Sequence, residues 1–180
     1  MINIVKGNII LFRKYKEEIK QFVITHLRKH LSAFSEDKFK SVWGNISQEN
    51  QTYIRESLFA ALYNEKSASV RNLIADAIGQ IGGTIMSINT NNWPNFIDNV
   101  FALLGNPSDE SIISGLPFFK TSSVIAELFD KVNEQLLVVF AKSFEHTNNK
   151  VRSAGASAFS GYIISVDKKA VSKLEGLIIP

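Results

Sequence analysis

The sequence has no cysteine among its 180 residues, and it has two methionines against thirteen phenylalanines. The missing thiols exclude a disulfide framework, a thiolate metal site and a cysteine nucleophile. The low methionine count favours specific packing of aromatic rings over a groove lined by adaptable thioether side chains. A chain without cysteine fits a cytosolic or nuclear protein.

A long hydrophobic run is also missing. The apolar stretch Ile9 to Phe12 is broken by the charged sequence RKYKEE before it reaches the length of a signal sequence or a membrane span. We therefore expect neither secretion nor membrane insertion. The apolar and charged fractions, 45% and 21%, are those of an ordinary globular chain and argue against extended disorder.

Catalytic motifs are absent as well. The sequence has no phosphate-binding G-x-x-x-x-G-K-[ST] loop and no G-x-S-x-G nucleophile elbow. His26 and His30 have the spacing of two metal ligands on one helix face, but no glutamate follows His26. Arg28 and Lys29 lie between them and would oppose a cation. We expect no enzyme, no metal site and no cofactor.

The net charge of +3 is unevenly distributed. Residues 1–40 carry nine lysines and arginines against four acidic residues, and the remainder is mildly acidic. A basic end can bind nucleic acid or an acidic partner, or it can be a solvated helix face. Because a DNA groove requires basic residues along several helices and the later helices lack them, direct nucleic-acid binding is not expected.

Apolar residues recur at steps of three and four through almost the whole chain, and no stretch alternates with period two. This pattern predicts an all-α fold. Asn91 or Asn92 is expected to cap a helix with Pro94 in its first turn, and Gly82-Gly83 to end the helix before it. The predicted helices cover 4–33, with a possible interruption, 36–44, 48–63, 67–86, 93–104, 109–120, 123–145 and 148–165, with another from 168.

The segment SASVRNLIADAIGQIGG, residues 67–83, has a partner in NNKVRSAGASAFSGYI, residues 148–163. Their Val-Arg dipeptides are 81 residues apart, which is twice the length of a two-helix HEAT-type repeat. An intermediate unit is expected near Ile112. Arg71 and Arg152 are expected to form a ladder of hydrogen bonds between repeats.

These units predict a HEAT-repeat α-solenoid of about three to four antiparallel helix pairs, with a plain helical bundle as the alternative. Small residues such as Ala77 and Gly79 would let the layers approach closely. Pro117 predicts a kink or an early helix end in the middle unit. The predicted organisation is N-terminal helices over 1–46, repeats over 47–86, 91–121 and 123–166, and the start of a further repeat over 168–180.

Three stretches carry a resemblance to a known family: LRKHLSAFSEDKFKSVW, then IRESLFAALYNEKSASVRNLIADAIGQIG, then NNWPNFIDNVFALLGNPSDE. They resemble the N-terminal repeats of importin-β (karyopherin-β) nuclear transport receptors, with the closest similarity to the importin-4 and importin-5 branch. The matching motifs are a basic helix end at Leu27-Arg28-Lys29, an inner helix with Val-Arg, and Trp93-Pro94 at the next outer helix. The resemblance covers roughly residues 20–180.

The resemblance implies a receptor that shuttles between cytoplasm and nucleus through the nuclear pore. Such a receptor carries cargo proteins in nuclear import and binds Ran GTPase in its GTP form and the phenylalanine-glycine (FG) repeats of nucleoporins. Family receptors are several times longer, so the chain is expected to be a fragment, and its last residues, LEGLIIP, are not the polar cap of a solenoid. The alternative is a generic HEAT-repeat scaffold or assembly subunit unrelated to nuclear transport.

The resemblance also implies that inner helices form the Ran-binding surface, which makes their polar stripes candidates for partner binding. On the helix over 67–86 this stripe is Asn72, Asp76 and Gln80, at steps of four. Its counterpart in the third unit is Ser153 and Ser157. A solvated stripe without a partner is the alternative.

Clefts between outer helices receive FG repeats in this family. The candidates on the outer helices are Phe96, Phe101, Phe140 and Phe144, and burial in the core is the alternative for each of them. A shallow pocket of this kind is expected to bind an aromatic side chain weakly.

Overall fold

The computed structural model describes residues 16–32, 43–130 and 132–166. Regular structure in these ranges is entirely helical, which confirms the predicted all-α class. The chain divides into two compact units, Met1–Trp93 and Pro94–Pro180. The helices are α1 Glu17–Ser32, α2 Gln48–Asn64, α3 Ala68–Ile88, α4 Phe96–Leu104, α5 Asp109–Gly115, α6 Ser123–Asp130, α7 Asn133–Phe144 and α8 Asn149–Ser165, with 3-10 helices at Thr90–Asn92 and Leu116–Lys120.

In the first unit, α1 lies along α3 and runs in the same direction. Glu17, at the start of α1, accepts a hydrogen bond from Ser67, which precedes the first turn of α3, at 2.6 Å. Further along both helices, Arg28 pairs with Asp76. The two helices are therefore successive inner helices, and α2 is the outer helix between them in the chain, as expected for a solenoid of helix pairs.

The helices predicted over 48–63, 67–86 and 148–165 are confirmed to within two residues. The predicted end at Gly82-Gly83 is wrong, because both glycines are buried inside α3, which continues to Ile88. Each glycine costs about 1 kcal/mol of helix propensity. Burial of Ile85 and Met86 in the turn beyond them outweighs this cost. The predicted helix over 36–44 and the one from 168 lie outside the described residues.

The start of α4 differs from the prediction. The helix begins at Phe96, and its N-cap residue Asn95 makes no side-chain capping hydrogen bond. Asn91 and Asn92 belong to the preceding 3-10 helix instead. The side-chain amide of Asn92 donates to the carbonyl of Ile85 at 3.2 Å, so this amide closes the end of α3 and does not cap α4.

The inner helix of the second unit is interrupted near Pro117, as predicted. The α-helical part, α5, ends at Gly115, and the chain continues as the 3-10 helix Leu116–Lys120. Proline has no N–H for the α-helical pattern, while Phe118 and Phe119 on either side of the new turn are fully buried. The chain then bends by 110° into α6.

The prediction of one helix over 123–145 is wrong, because α6 and α7 are separate helices. No glycine or proline marks the break. The rings of Phe129 on α6 and Phe140 on α7 both pack against Phe119, with centroids 4.6 and 5.2 Å away. In one straight helix these two positions would be about 16 Å apart along the axis, so the break lets both rings reach the same neighbour.

The second unit contains an internal repeat that is visible in its burial. Residues 94–108 and 134–148 have the same sequence of buried, half-buried and exposed positions, without exception, at an offset of 40 residues. Each range includes an outer helix and the turn that follows it, α4 in the first range and α7 in the second. The 40-residue register of the sequence is therefore a register of packing.

The Val-Arg motifs have the same geometry in both units. Val70 and Val151 are fully buried. The Nη1 atoms of the following arginines donate to two carbonyls each: Arg71 to Glu65 and Lys66 at 3.1 and 2.8 Å, and Arg152 to His146 and Thr147 at 2.6 and 3.0 Å. The expected ladder between repeats is wrong, because these hydrogen bonds close the turn within one helix pair.

Candidate functional site

An open apolar pocket lies between the outer helices α4 and α7 of the second unit. Its cavity of about 270 Å³ is just below the range of about 300–1,000 Å³ typical of sites for small organic ligands, so it suits one side chain better than a cofactor. Its walls are Phe101, Leu104, Gly105, Ile112, Val138, Val139, Lys142, Ser143, His146 and Val151.

The sequence signal for this pocket is the apolar run LLVVF, residues 136–140. A surface helix buries one stripe, so five consecutive apolar residues leave some of them at the surface. Leu136 and Phe140 are fully buried, whereas Val138 between them is 52% exposed at the pocket wall. Val138 and Val139 are missing from the sequence-predicted candidates, although this run marks them.

The four phenylalanines proposed for the cleft occupy different environments. Phe101 is half-buried and lines the pocket. Phe96 and Phe140 are 1% and 0% exposed, so both are core residues. Phe144 is half-buried and stacks on Phe140 with centroids 6.3 Å apart, outside the pocket walls. Of the four side chains, Phe101 is therefore the one placed to touch an occupant of this pocket.

The ionisable side chains at the pocket walls are basic. They are Lys142 in the last turn of α7 and His146 in the turn before α8. The Nδ1 atom of His146 accepts a hydrogen bond from the Asn148 N–H at 3.1 Å, and its Nε2 atom lies 3.6 Å from a carboxylate oxygen of Asp109. His146 is thus held within the fold, and Lys142 is exposed.

The polar stripe of α3 is partly used inside the first unit. Arg28 of α1 pairs with the Asp76 carboxylate, and the Gln80 amide donates to the other oxygen of Asp76 at 3.0 Å. Asn72, one turn before Asp76, is exposed. The cation from α1 had no signal in the local sequence, because 48 residues separate the two partners.

The second unit has the same arrangement at the equivalent place. Ser157, 81 residues after Asp76, accepts a hydrogen bond from Lys120 at 2.9 Å, and Ser153 is exposed. In both units a basic residue of the preceding inner element bonds this position of the inner helix. The stripe therefore contributes to helix stacking, and Asn72 and Ser153 are members that face solvent.

The turn before α3 carries a buried ion pair with α1. Lys20 donates to Glu65 at 2.8 Å, and the Glu65 side chain is 5% exposed. Burial raises the pKa of this carboxyl, but hydrogen bonds from Lys20 and from the backbone N–H groups of Ser67 and Lys66, together with the Lys20 charge, outweigh burial and hold the pKa below its ordinary value. His146 stands at the equivalent position of the next such turn.

No group of three His, Cys, Asp or Glu side chains suited to a metal ion occurs among the described residues. The ring of His26 stacks on Phe22 with centroids 5.8 Å apart. Within residues 16–32, 43–130 and 132–166, no single helix has the length and apolar character to cross a membrane. One bent pair, 109–120 with 123–129, meets that standard only when both parts are taken together.

Comparison with known proteins places this helix-pair array in a family. A family model described as IPO5-like, TPR repeats matches residues 66–180. Importin subunit beta-3 of Saccharomyces cerevisiae is 29% identical over 76% of this chain. The chain belongs to the importin-β family. The IPO5-like match agrees with the resemblance to the importin-5 branch, and this importin-β chain spans 12% of the length of importin subunit beta-3.

Solved structures of Kap121p share the fold of this importin-β chain. Kap121p bound to Ste12p has a TM-score of 0.77 at 19% identity, covering 99% of this chain and 16% of Kap121p. Kap121p bound to Nup53p has a TM-score of 0.63 at 21% identity, covering 93% and 17%. The match confirms the predicted solenoid class. The spacing of about 40 residues per unit is the HEAT length, longer than the 34 residues of a TPR unit.

Proposed function

We propose that this importin-β chain is part of a nuclear transport receptor that shuttles between cytoplasm and nucleus and binds cargo proteins, Ran in its GTP form and FG-repeat nucleoporins. The family match over residues 66–180 supports the transport role. Kap121p has been solved with Ste12p, Pho4p and Nup53p bound, which supports protein binding as the mode of action. The chain acts by binding and not by catalysis.

The pocket between α4 and α7 is the observation that carries the nucleoporin part of this proposal. A phenylalanine ring entering it would contact the Phe101 ring and the Leu104 and Val138 side chains. Aromatic pairs contribute about 0.5–1.5 kcal/mol beyond the burial of their area. One ring in an open pocket gives a weak, rapidly reversible contact, which suits passage through a pore.

A titration by NMR with a glycine-flanked phenylalanine peptide tests the pocket. Val138→Lys places a solvated ammonium at the pocket wall, and we expect it to weaken binding about ten-fold or more. Ala102→Lys makes a comparable change at an exposed position of α4 outside the pocket walls and should leave binding unchanged. Equal binding by Val138→Lys and the unaltered chain would contradict the pocket assignment.

The exposed members of the inner-helix stripe, Asn72 and Ser153, support the Ran part. We expect immobilised chain to capture Ran loaded with a non-hydrolysable GTP analogue and not Ran loaded with GDP. Asn72→Arg should reduce this capture without lowering the melting temperature, whereas Ala102→Arg on an outer helix should not reduce it. Capture that ignores the nucleotide would favour the alternative, a generic HEAT-repeat scaffold.

A further inference from the structure

The mouth of the α4/α7 pocket carries positive charge without a neighbouring negative one. Ten residues form the walls, and none of them is acidic. The remaining polar side chains of the walls are already engaged in the fold. The Ser143 hydroxyl is buried and donates to the Phe140 carbonyl at 2.8 Å, and His146 is held between the Asn148 N–H and the Asp109 carboxylate.

Lys142 differs from these groups. It is exposed, and within the part of the chain that the structure describes it makes no hydrogen bond and no ion pair. The carboxylate of Asp109 is directed to His146 and Asn148 at 3.6 and 2.6 Å. The Lys142 ammonium therefore stands beside an apolar cavity with its three donors available to an incoming acceptor.

The geometry points to an acidic preference in the occupant of this pocket: an extended protein segment in which an apolar side chain, preferably aromatic, stands next to an aspartate or glutamate. The apolar side chain fills the cavity against Phe101 and Val138, and the carboxylate accepts a hydrogen bond from the Lys142 ammonium. This inference rests on the proposed protein-binding role of the pocket and adds the chemistry that selects among its ligands.

The expected selectivity is modest because Lys142 is exposed to solvent. Exposed ion pairs contribute little, which corresponds here to a preference of about two- to five-fold in affinity at low salt. The preference should shrink as ionic strength rises, since the Debye length falls to about 8 Å at physiological salt. A lysine beside the apolar side chain should weaken binding by repulsion, so the pocket discriminates against basic segments as well as favouring acidic ones.

Three peptides with one phenylalanine each, flanked by glycine, by aspartate or by lysine, test this inference by NMR titration of the whole chain at low and high salt. We expect the aspartate peptide to bind about two- to five-fold more tightly than the glycine peptide, and the lysine peptide least tightly. Lys142→Gln should remove the differences, while Lys150→Gln, an exposed lysine outside the pocket walls, should retain them.

The outcomes separate the two levels of the proposal. Binding of all three peptides with equal affinity overturns the acidic preference and leaves the pocket as a binding site. Differences that persist in Lys142→Gln also overturn it, because another charge would then be responsible. Failure of all three peptides to bind the unaltered chain overturns the pocket itself together with its preference.

Discussion

The Lys120 ammonium donates to the Ser157 hydroxyl at 2.9 Å, in the same place of its helix pair at which Arg28 pairs with Asp76. The two acceptors are 81 residues apart, which is the distance between the Val-Arg motifs. Both contacts join an inner helix to the inner element before it. A basic residue at this place thus belongs to the stacking of repeats, and its charge is partly spent within the array.

Gly161, one turn beyond Ser157, is expected to tolerate no larger residue. A Cβ atom at this position would lie 2.3 Å from the Cβ of Lys120, where neither atom is the end of a flexible chain. Gly161→Ala should therefore lower the free energy of unfolding by about 1–3 kcal/mol. This should appear in a thermal melt as roughly 2–4 °C per kcal/mol.

Ser160→Ala is the matched control, because Ser160 is exposed on the same helix and should change stability by less than about 0.5 kcal/mol. Alanine also gains up to about 1 kcal/mol of helix propensity over glycine. A Gly161→Ala variant that melts at or above the temperature of the unaltered chain would show that this close approach does not limit the packing.

The arginines of the two Val-Arg motifs should have equal effects on stability. Each donates to two carbonyls in the turn before its helix, and both are half-buried. Arg71→Ala and Arg152→Ala should each cost about 1–2 kcal/mol in urea unfolding followed by circular dichroism. Asn72→Ala, at an exposed neighbouring position, should be nearly neutral. Costs that differ widely between the two arginines would contradict the equivalence of the turns.

Acid should remove the stabilisation that Glu65 provides. Because the pKa of Glu65 is lower in the folded chain than its ordinary value of 4.5, its contribution is present above that value and is lost as pH falls through the folded pKa. Urea midpoints measured from about pH 7 to pH 3 should therefore fall less steeply for Glu65→Gln than for the unaltered chain. Glu127→Gln, on the exposed face of α6, should retain the original slope. Parallel curves for all three proteins would rule out this role.

Much of the fold could be predicted because its signals are local. The hydroxyl of Ser67 accepts from the Val70 N–H at 3.5 Å, as its place before an apolar helix predicts. Pro117 interrupts the middle inner helix because proline lacks a donor. The Val-Arg spacing indicated the repeat, since the same turn geometry requires the same residues each time.

What the sequence did not reveal depends on contacts between distant residues. The break between α6 and α7 exists because Phe129 and Phe140 share Phe119 as a neighbour, and no local residue announces it. The same holds for the candidate site. Phe101 could be predicted from its outer helix, but the relevance of Lys142 emerges only when α4 and α7 are brought together around one cavity.

The matching burial of residues 94–108 and 134–148 has a consequence for how such chains change length. A crossover between equivalent points of these two segments would add or remove 40 residues and leave every inward-facing position inward-facing. Genetic exchange at this spacing preserves the core, whereas an insertion of one or two residues would rotate the helix and expose it. The array can thus vary in steps of a whole unit, which offers evolution new binding surfaces without a new fold.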